Sequence, residues 1–353
     1  MATIDERVVS ELAPPAASIR SEIDSGPRDA ATHRRWYEAT GCLHEVEVHA
    51  PEGLAPLAPP LRTLAWNAER GRDVTTLARV IAARSPDLVL LSELDVGMAR
   101  SGNVHTAREL ASALGMGCAY GVEFVELGLG GPEERLRHAG SENLHGLHGG
   151  AILCRAPLER PVLVRLDGEG AWFDGERGES RVGGRIAVVA TCDLGGQPVT
   201  VAAVHLESHS EIEERHVQIR GLLDALERYA PGRPTLVAGD LNCFSLGISD
   251  TSEPGRIRAL LAEDPDRLRH PVPYEPLFEA AAEWGYSWQD CNEMGVATQR
   301  VSENDGSSRG GMKIDWFLAR GLRCRDARVL EAVHPDTGRA LSDHEPIAVT
   351  CEL

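Results

Sequence analysis

The feature that most limits how this chain can fold recurs along it: a short, largely apolar run followed at once by a polar, chemically able side chain. Residues 61–66 lead to Asn67, 88–91 to Ser92 and Glu93, 199–204 to His205, and 235–238 to Gly239, Asp240 and then Asn242. Such runs have the length of strands and are too short for buried helices. With little polar alternation, they predict fully buried strands. In α/β proteins, ligands gather where strands end. Asp240 and Asn242 sit two apart, so on an extended backbone they point the same way, and Gly239 lets that backbone turn or approach a ligand closely. Glu93, directly after four buried aliphatics, needs a partner: a rim ion pair with Arg100, or a metal ion. Taken singly, each of these residues also reads as a turn former or a satisfied core group. The recurrence is what points to a shared rim.

In chain order, residues 1–60 read as an N-terminal extension packed on the body. Its helical patches are broken by Pro14, Pro15, Gly26 and Pro27, and 51–60 is a Pro-rich connector. Trp36 and Tyr37 read as anchoring aromatics. Helical spacing predicts helices over 74–84, 105–114 and 211–229, the last burying Ile212, Val217, Leu222, Leu223 and Leu226. Further strands are expected over 118–127, 148–155, and once or twice within 162–184. A hairpin joins 186–192 to 199–204 through Leu194-Gly-Gly-Gln. The Gly-rich stretch 128–148 is expected to line the site or move over it. Residues 246–311 are irregular, with helices over 256–262 and 276–284 and a Ser/Gly/Arg stretch at 306–311. Asp315 is an inward acid on a strand, and Asp343-His344 lies between the final strands.

Composition narrows the function classes. At 353 residues the chain makes one large domain or two ordinary ones, and a net charge of −18 argues against a broad nucleic-acid surface. Lys313 is the only lysine, so positive charge is almost all guanidinium. No run reaches membrane-span length, and the N-terminus shows no apolar h-region, which predicts no signal peptide. The eight cysteines are scattered without a C-x-x-C pair, which predicts a reduced, cytoplasmic setting.

The words around the strand ends, in the order W-N, S-E-L, G-G-A-I-L-C-R, H-L-E-S, G-D-L-N, K-I-D-W and S-D-H-E-P-I, resemble the endonuclease/exonuclease/phosphatase superfamily over 61–353. G-D-L-N, K-I-D-W and S-D-H carry most of the specificity. H-L-E-S, with Arg215 and Gln218 after it, looks most like the branch that cleaves tyrosyl-DNA bonds. The resemblance implies a DNase I-like, four-layer α/β/β/α sandwich: two mixed β-sheets face to face, with helices outside. It also implies a divalent-metal-dependent phosphoester hydrolase. A phosphodiester is anionic and repels a water nucleophile, and Mg²⁺ or Mn²⁺ on oxygen ligands offsets that charge. By resemblance, Glu93 holds the metal, with Asn67 and Asp343 around it. Asp240 orients or deprotonates the attacking water and Asn242 donates to a phosphoryl oxygen. His344, paired with Asp315, faces the phosphate, and His205 contacts the phosphoryl group or assists the leaving oxygen. Arg155, His148 and Glu207 are candidate substrate contacts.

The acidic balance, the lack of a lysine-rich loop and the long Gly/His-rich segment favour a phosphodiesterase for a small molecule, lipid head group or modified nucleic-acid end. Three alternatives stay open: a DNA or RNA nuclease with a restricted basic cleft, a phosphomonoesterase, and a catalytically silent binding protein on the same fold.

Overall fold

A computed structural model describes residues 2–300 and 311–353, so most of the Ser/Gly/Arg stretch expected at 306–311 lies outside the described residues. The chain begins with short strands β1 (Thr3–Asp5) and β2 (Arg7–Val9), helices α1 (Ala17–Ser25) and α2 (Ala30–Ala39), and strand β3 (Glu45–His49). There follow β4 (Leu61–Arg70), α3 (Val74–Ala82), β5 (Leu88–Val96), α4 (Thr106–Leu114), β6 (Gly117–Glu126), α5 (Pro132–Arg137), β7 (Leu147–Cys154) and β8 (Glu159–Arg165). The middle of the chain forms β9 (Arg181–Gly183), β10 (Ile186–Leu194), β11 (Gln197–His205), α6 (Ile212–Tyr229) and β12 (Thr235–Asp240). Three short helices, α7 (Ile248–Ser252), α8 (Arg256–Glu263) and α9 (Leu277–Glu283), precede β13 (Asp315–Arg320), β14 (Arg323–Val329) and β15 (Ile347–Glu352).

These strands make two mixed sheets. One has the order β1-β8-β10-β11-β12-β13; the other runs β14-β15-β4-β5-β7-β6-β3-β2, with β9 paired to β6. The first residues are woven into both, since β1 edges the smaller sheet and β2 and β3 extend the larger. The apolar runs explain the layering. In β5, Leu88 and Leu90 face the core between the sheets, whereas Val89 and Leu91 face α3 and α4. In β12, Leu236 and Ala238 point to that same inter-sheet core, and Val237 meets α6 and α9. Each strand is therefore apolar on both faces, and a buried Leu contributes about 1.5–3 kcal/mol on either one. Along α6, Leu222, Leu223 and Leu226 are buried, but Val217, expected with them, is 66% exposed. Its neighbours Arg215 and Gln218 take the inward positions, Arg215 through an ion pair with buried Glu275. Among the described residues, no helix is long and apolar enough to cross a membrane.

β4 and β5 run past the ends expected from their apolar cores. Pairing slips between Asn67 and Arg70 and between Leu91 and Leu94, so both strands carry bulges. Glu69, Arg70 and Glu93 have φ of +41°, +76° and +54° there. Bulges re-aim side chains, and left-handed backbone at non-glycine residues costs about 1–3 kcal/mol each. Asn67 and Glu93 thus reach the rim from distorted strand interiors and not from simple strand ends.

Candidate functional site

Three adjacent strands of the smaller sheet lay a row of groups side by side. Parallel pairing sets His205 of β11 opposite Asp240 of β12, and antiparallel pairing sets Asp240 opposite Asp315 of β13. Gly239 makes this possible: at φ +150° a Cβ there would stand 1.9 Å from the Val204 carbonyl oxygen. His344, from the turn before β15, completes the row. Its Nδ1 lies 2.8 Å from Asp315 Oδ2, and its Nε2 lies 3.7 Å from Asp240 Oδ2. His205 mirrors it, with Nδ1 3.2 Å from Glu123 Oε1 and Nε2 3.7 Å from the same Asp240 oxygen. One carboxyl oxygen thus stands between two imidazoles, each backed by a second carboxylate.

The surroundings set the charges. Burial and the Asp315 carboxylate push the Asp240 carboxyl up, against the pull of His344 and His205. Burial works against a charged His344, yet the Asp315 and Asp240 carboxylates hold its proton well above the ordinary imidazole range. The turn carrying it is locked: Ser342 Oγ donates to the Asn67 carbonyl, and Trp66 Nε1 donates to the His344 carbonyl. Asn242, at φ +46°, donates its amide to the Leu206 carbonyl, and its backbone N–H donates to Asp240 Oδ1.

The larger sheet supplies the other side. Asn67 Nδ2 donates to Glu93 Oε1 and to Asp240 Oδ2, each at 3.1 Å, and so bridges the two sheets. Glu93 also pairs with Arg70. Burial opposes the Glu93 charge, but Arg70, then His148 and His205, hold its carboxyl well below the usual range. Asp343 stands exposed at the mouth. Arg70, Glu93, His205, Asp240, Asn242, Asp343 and His344, with His148, Trp172, Glu179, Arg181, Arg185, Ser208 and Gln299, line a polar cavity of about 180 Å³.

The expectations for the rim divide. Asn67, Glu93, His205, Asp240, Asn242, Asp315, Asp343 and His344 come together. His148 also lines the cavity, although its Nδ1 is taken by Asp95 at 2.8 Å. Glu207 lies just behind the wall, accepting hydrogen bonds from Arg185 Nε and Trp172 Nε1. Arg155 is a correction. It follows the far end of β7, beside Leu88, and donates to the Pro86 and Leu114 carbonyls, whereas the cavity is at the His148 end. Arg100 does not pair with Glu93; it is sunk behind the site on Asp95, Glu126, Glu134 and Glu179. The 128–148 stretch contains α5, and among the described residues only its last, His148, lines the cavity; the 167–184 excursion forms that wall instead.

Arg70, Glu123, Trp172, Glu179, Arg181, Arg185 and Gln299 are the additions. Two left a trace in the sequence: Arg70 follows three residues after Asn67, and Arg185 stands immediately before a buried run. Trp172 and Glu179 sit in a polar loop whose path only the tertiary structure sets.

The donor set fits a hard cation. Glu69, Glu93, Asp240 and Asp343 crowd one side with oxygen donors. Partial burial and the Asp343 and Glu93 carboxylates push the Glu69 carboxyl up, against the pull of Arg72. Such mutual repulsion is what a divalent ion relieves. Asp240, Asp315 and His344 also bring ligand atoms within 4.8 Å of one another. There the imidazole and Asp315 satisfy each other, and on the other side Asn67 and Arg70 hold the Glu93 oxygens.

A polar cavity at the common rim of two face-to-face sheets, with helices outside, defines a DNase I-like site. The sequence model of the endonuclease/exonuclease/phosphatase family matches residues 64–344, and the chain belongs to that family. The family comprises metal-dependent phosphoesterases and nucleases. Among solved structures, an endonuclease/exonuclease/phosphatase from Beutenbergia cavernae is similar at 22% identity and TM-score 0.55, covering 83% of this chain and 72% of that one. The human Nocturnin catalytic domain is similar at 18% identity and TM-score 0.51, covering 84% and 95%. A family member from Bacteroides vulgatus is similar at 16% identity and TM-score 0.51, covering 83% and 99%. These likenesses concern the fold. No curated protein sequence matches the chain.

Proposed function

We propose that this chain is a phosphodiesterase dependent on Mg²⁺ or Mn²⁺, acting in a reduced, cytoplasmic setting on a small-molecule, lipid-head-group or modified nucleic-acid-end phosphoester. The observation that carries the reading is the Asp240 carboxyl oxygen held between His205 and His344, within reach of Asn67 and Glu93. Glu93, with Asn67 and Asp343, would hold the metal, which supplies charge neutralisation at the phosphoryl oxygens. Asp240, whose carboxyl burial pushes up, orients the attacking water and receives its proton. Asn242 and His344 donate to the phosphoryl oxygens, Asp315 fixing the imidazole, and His205 lies beside the departing group. The polar walls of the cavity, of about 180 Å³, suit an anionic phosphoryl group. The net charge of −18 weighs against the interior of a duplex as substrate.

The test is a hydrolysis screen with added Mg²⁺ or Mn²⁺ over bis-p-nitrophenyl phosphate, p-nitrophenyl phosphate, phospholipids, nucleotides and oligonucleotides, with Asp240→Asn as the blank. Diester turnover above the blank supports the reading. Internal oligonucleotide cleavage as the dominant activity would replace it with a nuclease, and no turnover of any ester would replace it with a binding role.

A further inference from the structure

Away from the cavity, three cysteines meet at the outer edge of the larger sheet. Cys324 of β14 and Cys351 of β15 are direct partners across the antiparallel pair, with their sulfurs 3.4 Å apart. Cys291, in the segment after α9, donates its Sγ to the Ser287 carbonyl at 3.3 Å, and its thiol is pushed up by the neighbouring Cys324. Cys291 and Cys351 are buried in the inter-sheet core, whereas Cys324 is half-buried at its margin. Cys351 pairs with Leu61 at the start of β4, the end opposite the Asn67 rim, so this cluster is separate from the site.

We propose that Cys324 is a peroxide-sensitive thiol that closes a cross-strand disulfide to Cys351, with Cys291 as its reserve partner. Directly opposed residues on antiparallel strands have Cα atoms about 4.5–5.5 Å apart, inside the range a disulfide spans. The sulfurs need only close from 3.4 Å to bonding distance. The neighbouring Cys291 and Cys351 sulfurs push the Cys324 thiol down, toward the thiolate form that reacts with peroxides. The same contacts, with burial, push Cys291 and Cys351 up and keep them as thiols.

The chemistry balances with a hydroperoxide as oxidant. The Cys324 thiolate attacks a peroxide oxygen, the O–O bond breaks, and the departing hydroxide takes a proton to leave as water, giving a sulfenic acid. The Cys351 sulfur then attacks the sulfenic sulfur; the S–S bond forms, the S–O bond breaks, and the thiol proton leaves with the hydroxide as a second water. A metal-binding alternative has less support. Among the described residues only Asp240, Asp315 and His344 bring three ligand atoms within 4.8 Å of one another, so the three sulfurs do not close on a common centre. Cys154 and Cys192 are fully buried between the sheets, out of reach of a dissolved oxidant.

The test exposes the full chain, freed of reductant, to hydrogen peroxide at neutral pH, then unfolds it in urea, blocks free thiols with iodoacetamide and maps peptides without reduction. Met294, which is 42% exposed, reports the dose by forming its sulfoxide. The expected result is a Cys324–Cys351 linked peptide and the loss of two of the eight alkylatable thiols. Cys324→Ser abolishes the link, and Cys351→Ser moves it to Cys291; circular dichroism checks that both variants are folded. The wild-type chain with Met294 oxidised and Cys324 still a thiol, or with Cys324 carried to sulfonic acid and no bridge, overturns the proposal. Neither outcome bears on the hydrolytic reading, because the cluster shares no residue with the cavity.

Discussion

Asp240 must stay buried enough to keep a proton within reach, yet close enough to two imidazoles to give it up. Burial and Asp315 raise its carboxyl while His344 and His205 lower it, and that opposition suits a group meant to exchange a proton. Replacing it by Asn keeps the shape and removes the proton acceptor. The expected loss is about 10²–10⁴-fold in kcat on a diester, with an unchanged circular dichroism spectrum. Glu93→Gln removes the charge from the proposed metal ligand, so half-maximal activity is expected to need about tenfold or more higher Mg²⁺. An unchanged metal titration would take Glu93 out of that role. Arg185 is a different kind of residue, buried against Glu123 and Glu207 and beside His205. Arg185→Met leaves two buried carboxylates without their cation, and urea unfolding should show a loss of about 3–5 kcal/mol.

At the scale of elements, apolar runs were legible and their distortions were not. Residues 88–91 and 235–238 announce buried strands because each is aliphatic on both faces. Nothing in S-E-L-D tells that β5 continues through Glu93 with a bulge, since a bulge is set by pairing with β4 and β7. Arg155 was misplaced for a related reason. It sits at a strand end in the sequence, but β7 runs antiparallel to β5, so the end that matters is the one carrying His148. Val217 fits the helical spacing of an inward residue, yet Arg215 and Gln218 displace it because Glu275 and the Glu207 backbone give them partners. Gly239 is the glycine on which the row depends. Gly239→Ala places a methyl against the Val204 carbonyl, and a loss of at least about 2 kcal/mol in urea unfolding is expected.

Across the whole molecule, buried acids on several elements share one dependence on pH. Burial opposes the charge of Glu47, Glu134 and Glu207, but His105 for the first, Arg100 for the second and Arg185 for the third hold each carboxyl at about 2. These groups are lowered in the folded chain, so their stabilisation is present above the ordinary value of 4.5 and is lost as pH falls toward 2. The share carried by one of them, read as the difference in urea stability between the wild type and Glu207→Gln, should be nearly constant above about 4.5 and shrink below it; a difference unchanged through that window would refute the assignment. By itself, the sequence determined the strands, their burial and the order of acids, amides and imidazoles, because burial on two faces and side-chain alternation are written locally. The tertiary structure alone decided that Arg70, Trp172 and Arg185 wall the cavity and that Arg155 is absent from it. Those positions follow from strand direction, bulges and loop paths, which arise only when segments distant in the chain pair and pack.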